Sequence, residues 1–286
     1  MLLTDEVRAH CTAVAASARS VAIDGAALAT YDAQPDAYID PELHELDGDR
    51  ETVARGLLTL DTINFGSGWF PTLRKDPGRS GYATIARAVK EHGPWSNEEL
   101  REMTAAALAG VLTQPADHEL MALYAQALRT FGRWLGERSV LEAIAGAGGS
   151  AEVFAAALAA GMPMFDDRGF YKRAQIAPAN LALAGVATFG DLDRLTIFAD
   201  NLVPHVLRCD GILVYDERLA AHIDAGRELR PGPQEHEIRA CAVHACELLA
   251  ARLSVPPRIL DNWLWNRGQA PGYKARPRHR CRCVFY

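Results

Sequence analysis

Apolar residues recur at helical spacing along most of the chain. The period predicts an Ala-rich opening helix over residues 7–21 and a second over 50–60. Three more follow over 80–91, 97–112 and 118–134, each behind a polar or Gly/Pro break. Ser96-Asn97-Glu98-Glu99 reads as a cap with acidic residues in the first turn. Two short Ala-rich helices, 140–145 and 151–160, flank the loop GAGGS, and helices over 219–224, 235–253 and 257–265 complete the set. Strand patterning is confined to 211–215 and 284–286. Strands do not alternate with helices and no period repeats, which argues against a Rossmann fold and a solenoid. The expectation is a mainly α protein, a compact helical bundle with few short strands, folded as a single globular domain over residues 1–286. GAGGS and the Arg230-Pro-Gly-Pro stretch are then loops inside it.

One segment breaks the pattern. In LTIFADNLVPHVLR, Leu195, Phe198, Leu202 and Val206 share a helical face, yet Asp200 lies beside that face and Pro204 follows four residues later. Proline lacks the N–H that would pair with the carbonyl of Asp200 in a continuous helix. Two elements resolve the conflict: one helix ends over 192–198, and a second starts near Asp200 or Asn201 with Pro204 in its first turn. Asp200 then sits at a helix start, where the dipole favours a carboxylate by ~0.3–1 kcal/mol. Two roles follow for it, a simple cap or a fixed anion in an apolar setting. The second is what glycosidic cleavage uses to stabilise or trap an oxocarbenium-like sugar.

A formal charge of −6 disfavours a binder of duplex DNA or structured RNA, but leaves room for a small anion held by a few local cations. The first residues have neither a basic leader nor an apolar core, so they do not read as a signal peptide. No window approaches the roughly 18 consecutive apolar residues of a membrane span. Cys11, Cys209, Cys241, Cys246, Cys281 and Cys283 form no disulfide framework. Together these point to a cytoplasmic protein.

Several stretches mix apolar bulk with polar groups. LDTINFGSGWFP (60–71) suits either a loop closing over a flat ring or a turn pinned by Asp61 or Asn64 under aromatics. In GFYKRAQI (169–176), Lys172 and Arg173 either take a phosphate or form a solvated face. LDNWLWNRGQ (260–269) puts Asp261 and Trp265 on one helical face, with Asn262 and Asn266 as a parallel polar pair. That helix either grips a polar ring substituent or covers the core. His236, Glu237, His244 and Glu247 lack metal-site spacing, and His279-x-Cys281-x-Cys283 lacks a second ligand pair, so no metal is expected.

The ordered motifs ELHEL (42–46), LDTINF (60–65), FYKRAQI (170–176), LTIFADNLVP (195–204), EIRACAVHACELL (237–249), LDNWLW (260–265) and the closing RHRCRCVFY resemble the queuosine salvage proteins, the queuosine 5′-phosphate N-glycosylases. Asp200 also resembles the catalytic aspartate of helix-hairpin-helix DNA glycosylases. The resemblance implies a fold related to those enzymes, and hydrolysis of queuosine 5′-monophosphate to release queuine for salvage into tRNA modification. Asp200 would be the nucleophile or cation stabiliser and Phe198 would wall or stack on the deazaguanine. His44 would contact the base, and Asp261 would hydrogen-bond the base or its cyclopentenediol-amine arm. Asn262 and Asn266 match queuine-binding positions where some relatives carry Tyr and Asp. Lys172 and Arg173 are our assignment for the 5′-phosphate, with Arg276 and Arg280 in reserve. The departing base calls for an acid, of which His44 is one option. No cofactor, membrane or nucleic-acid polymer is implied. A nucleoside or nucleotide hydrolase of other base preference and a non-catalytic queuine- or nucleotide-binding protein are the rival readings.

Overall fold

The computed structural model describes residues 2–286. Among them are fifteen α-helices and one sheet of two strands, so the chain is mainly α. In order, α1 is Leu3–Ser17, β1 Val21–Ile23, α2 Gly25–Thr30, α3 Arg50–Thr62, α4 Gly81–His92 and α5 Asn97–Glu102. Next come α6 Ala105–Val111, α7 Glu119–Leu135, α8 Val140–Ala145, α9 Ala151–Gly161, α10 Lys172–Leu183 and α11 Val203–Cys209. Then β2 Leu213–Tyr215, α12 Glu217–Asp224, α13 Pro233–Leu253, α14 Pro257–Arg267 and α15 Pro271–Lys274 close the series. Helix starts follow the capping chemistry: the side chains of Asp24, Asp49, Ser80, Ser96, Thr104, Ser139, Ser150 and Asp216 each accept a first-turn N–H.

The chain folds into two compact units. The first comprises the segments through Tyr38, Asp167–Lys172 and Asp193–Cys283. Its centre is α13, which buries Ile238, Cys241, Val243, Cys246 and Leu249 on several faces, as a helix does when neighbours surround it. α1, α11 and α14 pack against it. β1 and β2 pair antiparallel with Ala22 opposite Val214. The polar residues of α13 bind α1 and the segment after it. Glu237 accepts the N–H groups of Arg19 and Ser20, Glu247 pairs with Arg8 at 2.8 Å, and the Nε2 atoms of His236 and His10 lie 2.6 Å apart.

The second unit comprises Ile39–Asp166, Arg173–Leu192 and Val284–Tyr286. α7 supplies its central stripe, with Leu120, Tyr124, Leu128, Phe131 and Leu135 all buried at helical spacing. Against it pack α3, α5 and α6. The aromatic loop after α3 belongs to this core. Phe65 and Trp69 are buried, Tyr124 donates to the carbonyl of Phe65, and the Trp69 indole donates to Glu119. Gly66 has φ of +97°, and a Cβ there would meet Leu120 at 2.6 Å. The loop is therefore a packed turn whose aromatics belong to the core.

Other expectations give way for local reasons. The opening helix stops at Ser17, and Val21 joins β1. The predicted helix 97–112 divides because Thr104 caps a new start at Ala105. α10 was hidden by its Lys-Arg start and by Pro178 inside it. Residues 284–286 form no strand: the carbonyl of Val284 accepts from Arg173 and that of Tyr286 from the N–H of Gly66. Residues 195–199 form neither helix nor strand. Their burial on all sides imitates a helical face, while side chains from elsewhere in the chain satisfy their backbone groups.

Candidate active site

Asp200 follows that irregular run. Its Oδ1 accepts from the N–H groups of Leu202, at 2.7 Å, and Val203, at 3.1 Å, just ahead of α11. Pro204 lies in the first turn of that helix, as expected, although the helix starts at Val203 rather than at Asp200 or Asn201. Among the described residues Oδ2 makes no hydrogen bond, and the side chain is half-buried. One oxygen thus fixes the carboxylate and the other remains open.

Asp261, on α14, is buried in the same unit. Its Oδ1 accepts the backbone N–H of Phe198 at 2.8 Å, which ties α14 to the run leading to Asp200. Burial raises its pKa to about 7, the charge of Asp200 adds to the rise, and the Phe198 N–H and Lys172 oppose it. Two carboxyl groups in different surroundings are a recurrent basis for acid–base division of labour.

This raised pKa has a consequence for stability. The folded value lies above the unfolded one of ~4, so the protonated form favours folding, and that contribution is lost as pH rises towards 7. Asp261→Asn, which keeps an acceptor for Phe198, should raise stability at pH 8 by about 2–4 kcal/mol and leave it nearly unchanged at pH 4. Urea titrations at both pH values would show this. Equal effects at the two would contradict the assignment.

Phe198 is buried, and its neighbour Ala199 is held by a group the sequence reading missed. Arg239, from α13, donates through Nε to the carbonyl of Ala199 at 2.9 Å. Its other nitrogens bind Asp167 as a fork, at 3.1 and 2.5 Å, and its guanidinium covers the ring of Phe170 at 3.9 Å. Asp261 and Arg239 are therefore the side chains that hold the Phe198–Ala199 backbone.

Lys172 lies in this unit, buried and within electrostatic reach of Asp261. Arg173, one residue on, belongs to the other unit. It donates to the carbonyls of Thr62, Met164 and Val284, and its guanidinium lies against Phe65 and Phe165. The guanidinium of Arg173, expected to act with Lys172, is thus engaged by these three carbonyls. Asn262 clasps the backbone of Tyr38, accepting from its N–H at 3.2 Å and donating to its carbonyl at 3.0 Å. Asn266 donates to Asn262 at 2.9 Å.

His44 is in the second unit. Its Nδ1 lies 2.9 Å from the carbonyl of Asp40, which can only accept, so Nδ1 carries the hydrogen. Burial lowers its pKa, and Nε2 lies 3.3 Å from the Tyr82 hydroxyl. A neutral imidazole in that tautomer accepts at Nε2.

A fixed carboxylate with one open oxygen, a second carboxyl that can hold a proton at neutral pH and a buried ammonium form the equipment of a glycosidic-bond hydrolase. Sequence comparison specifies further. A family model described as queuosine salvage protein matches residues 43–286. A queuosine 5′-phosphate N-glycosylase/hydrolase of Sphaerobacter thermophilus is 35% identical over 274 residues, covering 86% of this chain and 84% of that protein. The mouse protein of the same name is 35% identical over 136 residues, 41% of this chain and 40% of the mouse one. A Nematostella vectensis protein, also so named, is 29% identical over 297 residues, covering 86% of this chain and 85% of its own. The chain belongs to the queuosine salvage protein family.

Proposed function

We propose that the protein hydrolyses the N-glycosidic bond of queuosine 5′-monophosphate, giving queuine and ribose 5-phosphate. The observation that carries this reading is the carboxylate of Asp200, anchored through Oδ1 and open at Oδ2. As the bond to the base lengthens, positive charge grows on C1′ of the ribose. A carboxylate held in place beforehand stabilises that cation or traps it without reorganising. Water then adds hydroxide to C1′, and the departing base keeps the bonding pair and takes up a proton. Asp261, whose pKa of about 7 leaves it partly protonated at neutral pH, is the group in the same unit that can donate a hydrogen bond to the base. Phe198, Asn262 and Asn266 complete the base-binding set, and the base contact of His44 rests on the family resemblance alone.

A net charge of −6 suits a free nucleotide rather than duplex nucleic acid. No helix among the described residues is long and apolar enough to cross a membrane. All six cysteines are free thiols, in keeping with a reducing, cytoplasmic setting.

The experiment is mass-spectrometric analysis of products from queuosine 5′-monophosphate, AMP and GMP at equal concentration. Equimolar queuine and ribose 5-phosphate from the first, with the ordinary purine nucleotides turned over at least 10²-fold more slowly, are expected. Comparable release of adenine or guanine would favour a hydrolase of different base preference. Binding of queuosine 5′-monophosphate without release would favour a binding protein.

A further inference from the structure

The segment after α15 carries arginines at alternate positions: Arg276, Arg278, Arg280 and Arg282. Three have partners in the segment 224–228. Arg276 lies 3.9 Å from Asp224, Arg280 donates to the carbonyl of Gly226, and Arg282 lies 3.3 Å from Glu228. The N–H of Leu229 bonds the carbonyl of Arg280 at 2.8 Å, so the alignment of the two segments is fixed by backbone as well as by charge. Arg278 stands apart. Among the described residues it makes no hydrogen bond and no ion pair, yet it is more enclosed than Arg276 or Arg282.

Its location is set by its neighbour. The carbonyl of His279 accepts from the side chain of Asn201 at 3.2 Å, and Asn201 follows Asp200 directly. This side-chain tie therefore brings the His279–Arg280 peptide to Asn201, the residue after Asp200. Burial works against the charge of Arg278, and the carboxylate of Asp200 works in its favour. No ion pair closes between them within 4 Å. A half-buried guanidinium without a partner is costly, and an oxyanion ligand removes that cost through paired N–H donors.

We propose that Arg278 takes the 5′-phosphate of the nucleotide and thereby makes the Asp200 site selective for nucleotides over nucleosides. The proposal rests on the nucleotide-cleaving reading given above. The phosphate does two things here: it anchors the ribose through a charge-assisted fork, and it neutralises a cation close to the carbonium-like carbon that Asp200 must stabilise. A nucleoside does neither. It leaves Arg278 unneutralised beside the developing positive charge, so discrimination falls on kcat as well as on KM. Arg276 and Arg280, the reserves suggested by sequence, are already paired within the fold.

The test uses Arg278→Gln and Arg278→Lys in the full chain, with two readouts. Calorimetric binding of ribose 5-phosphate should weaken at least 10-fold in Arg278→Gln and less in Arg278→Lys, which keeps a charge without the fork. For Arg278→Gln, kcat/KM on queuosine 5′-monophosphate should fall about 10–10²-fold while that on queuosine holds or rises, since the unneutralised cation is gone. An equal fall on both substrates, or unchanged affinity for ribose 5-phosphate, would overturn the proposal. If Arg278→Gln fails to fold, the nucleotide-to-nucleoside ratio and the ribose 5-phosphate affinity of Arg278→Lys decide, and a wild-type value for both overturns it. Ribose 5-phosphate binding involves no queuine chemistry. A wild type that binds the sugar phosphate through Arg278 but releases no queuine would refute the substrate assignment and leave the anion site standing.

Discussion

Asp200→Asn is expected to lower kcat for queuine release by about 10²–10³-fold while leaving the fold intact. The two halves of this expectation come from the two carboxylate oxygens. Oδ1 accepts from the N–H groups of Leu202 and Val203, and an asparagine side-chain oxygen can do the same. Asn and Asp are nearly equal as helix caps, so the change should cost less than about 1 kcal/mol of stability. What asparagine lacks is the negative charge that, in the proposed reaction, stabilises the oxocarbenium-like carbon. Removing one preorganised electrostatic group of this kind costs about 3–4 kcal/mol in the transition state, which is the quoted loss in rate. Substrate affinity should change far less than kcat, because the sugar cation exists only in the transition state.

Arg239→Met should produce the largest loss of stability, about 3–5 kcal/mol. Asp167 is 4% exposed and bound by both terminal nitrogens of Arg239, with Glu235 at 3.7 Å from the same guanidinium. Removing the cation leaves buried acid without its neutralising partner, and the carbonyl of Ala199 loses a donor one residue before Asp200. For a chain of this size the melting temperature should fall by on the order of 10 °C. The double variant Arg239→Met/Asp167→Leu should recover part of that loss, since it removes both charges together. Thermal unfolding of the single and double variants checks this. A single variant within 1 kcal/mol of wild type would show that the ion pair does not hold the site.

Helices with a clear apolar stripe were legible in the sequence. α7 and α4 lie within a residue or two of their expected places because burial and periodicity agree there. The Asp200–Pro204 conflict was legible too, since a proline without an N–H forces a helix start. The irregular run 195–199 was not. Its residues are buried on both sides, so spacing alone cannot separate it from a helix, and its backbone partners, Asp261 and Arg239, lie 63 and 40 residues away in sequence. No local pattern singles out Arg239; its fork to Asp167 is what places it. The tail arginines show the same limit. Which of them is unpaired depends on Asp224, Gly226 and Glu228, some fifty residues earlier, and no local pattern contains that information.

The most direct test of the account compares queuine release from queuosine 5′-monophosphate by wild type and Asp200→Asn at matched concentration, with melting temperatures taken on the same samples. Release by wild type, a loss of 10²-fold or more in the variant and a melting temperature within a few degrees of wild type are the predicted result. Equal release by both proteins would leave Asp200 as a helix cap and contradict the assignment of the chemistry to its carboxylate.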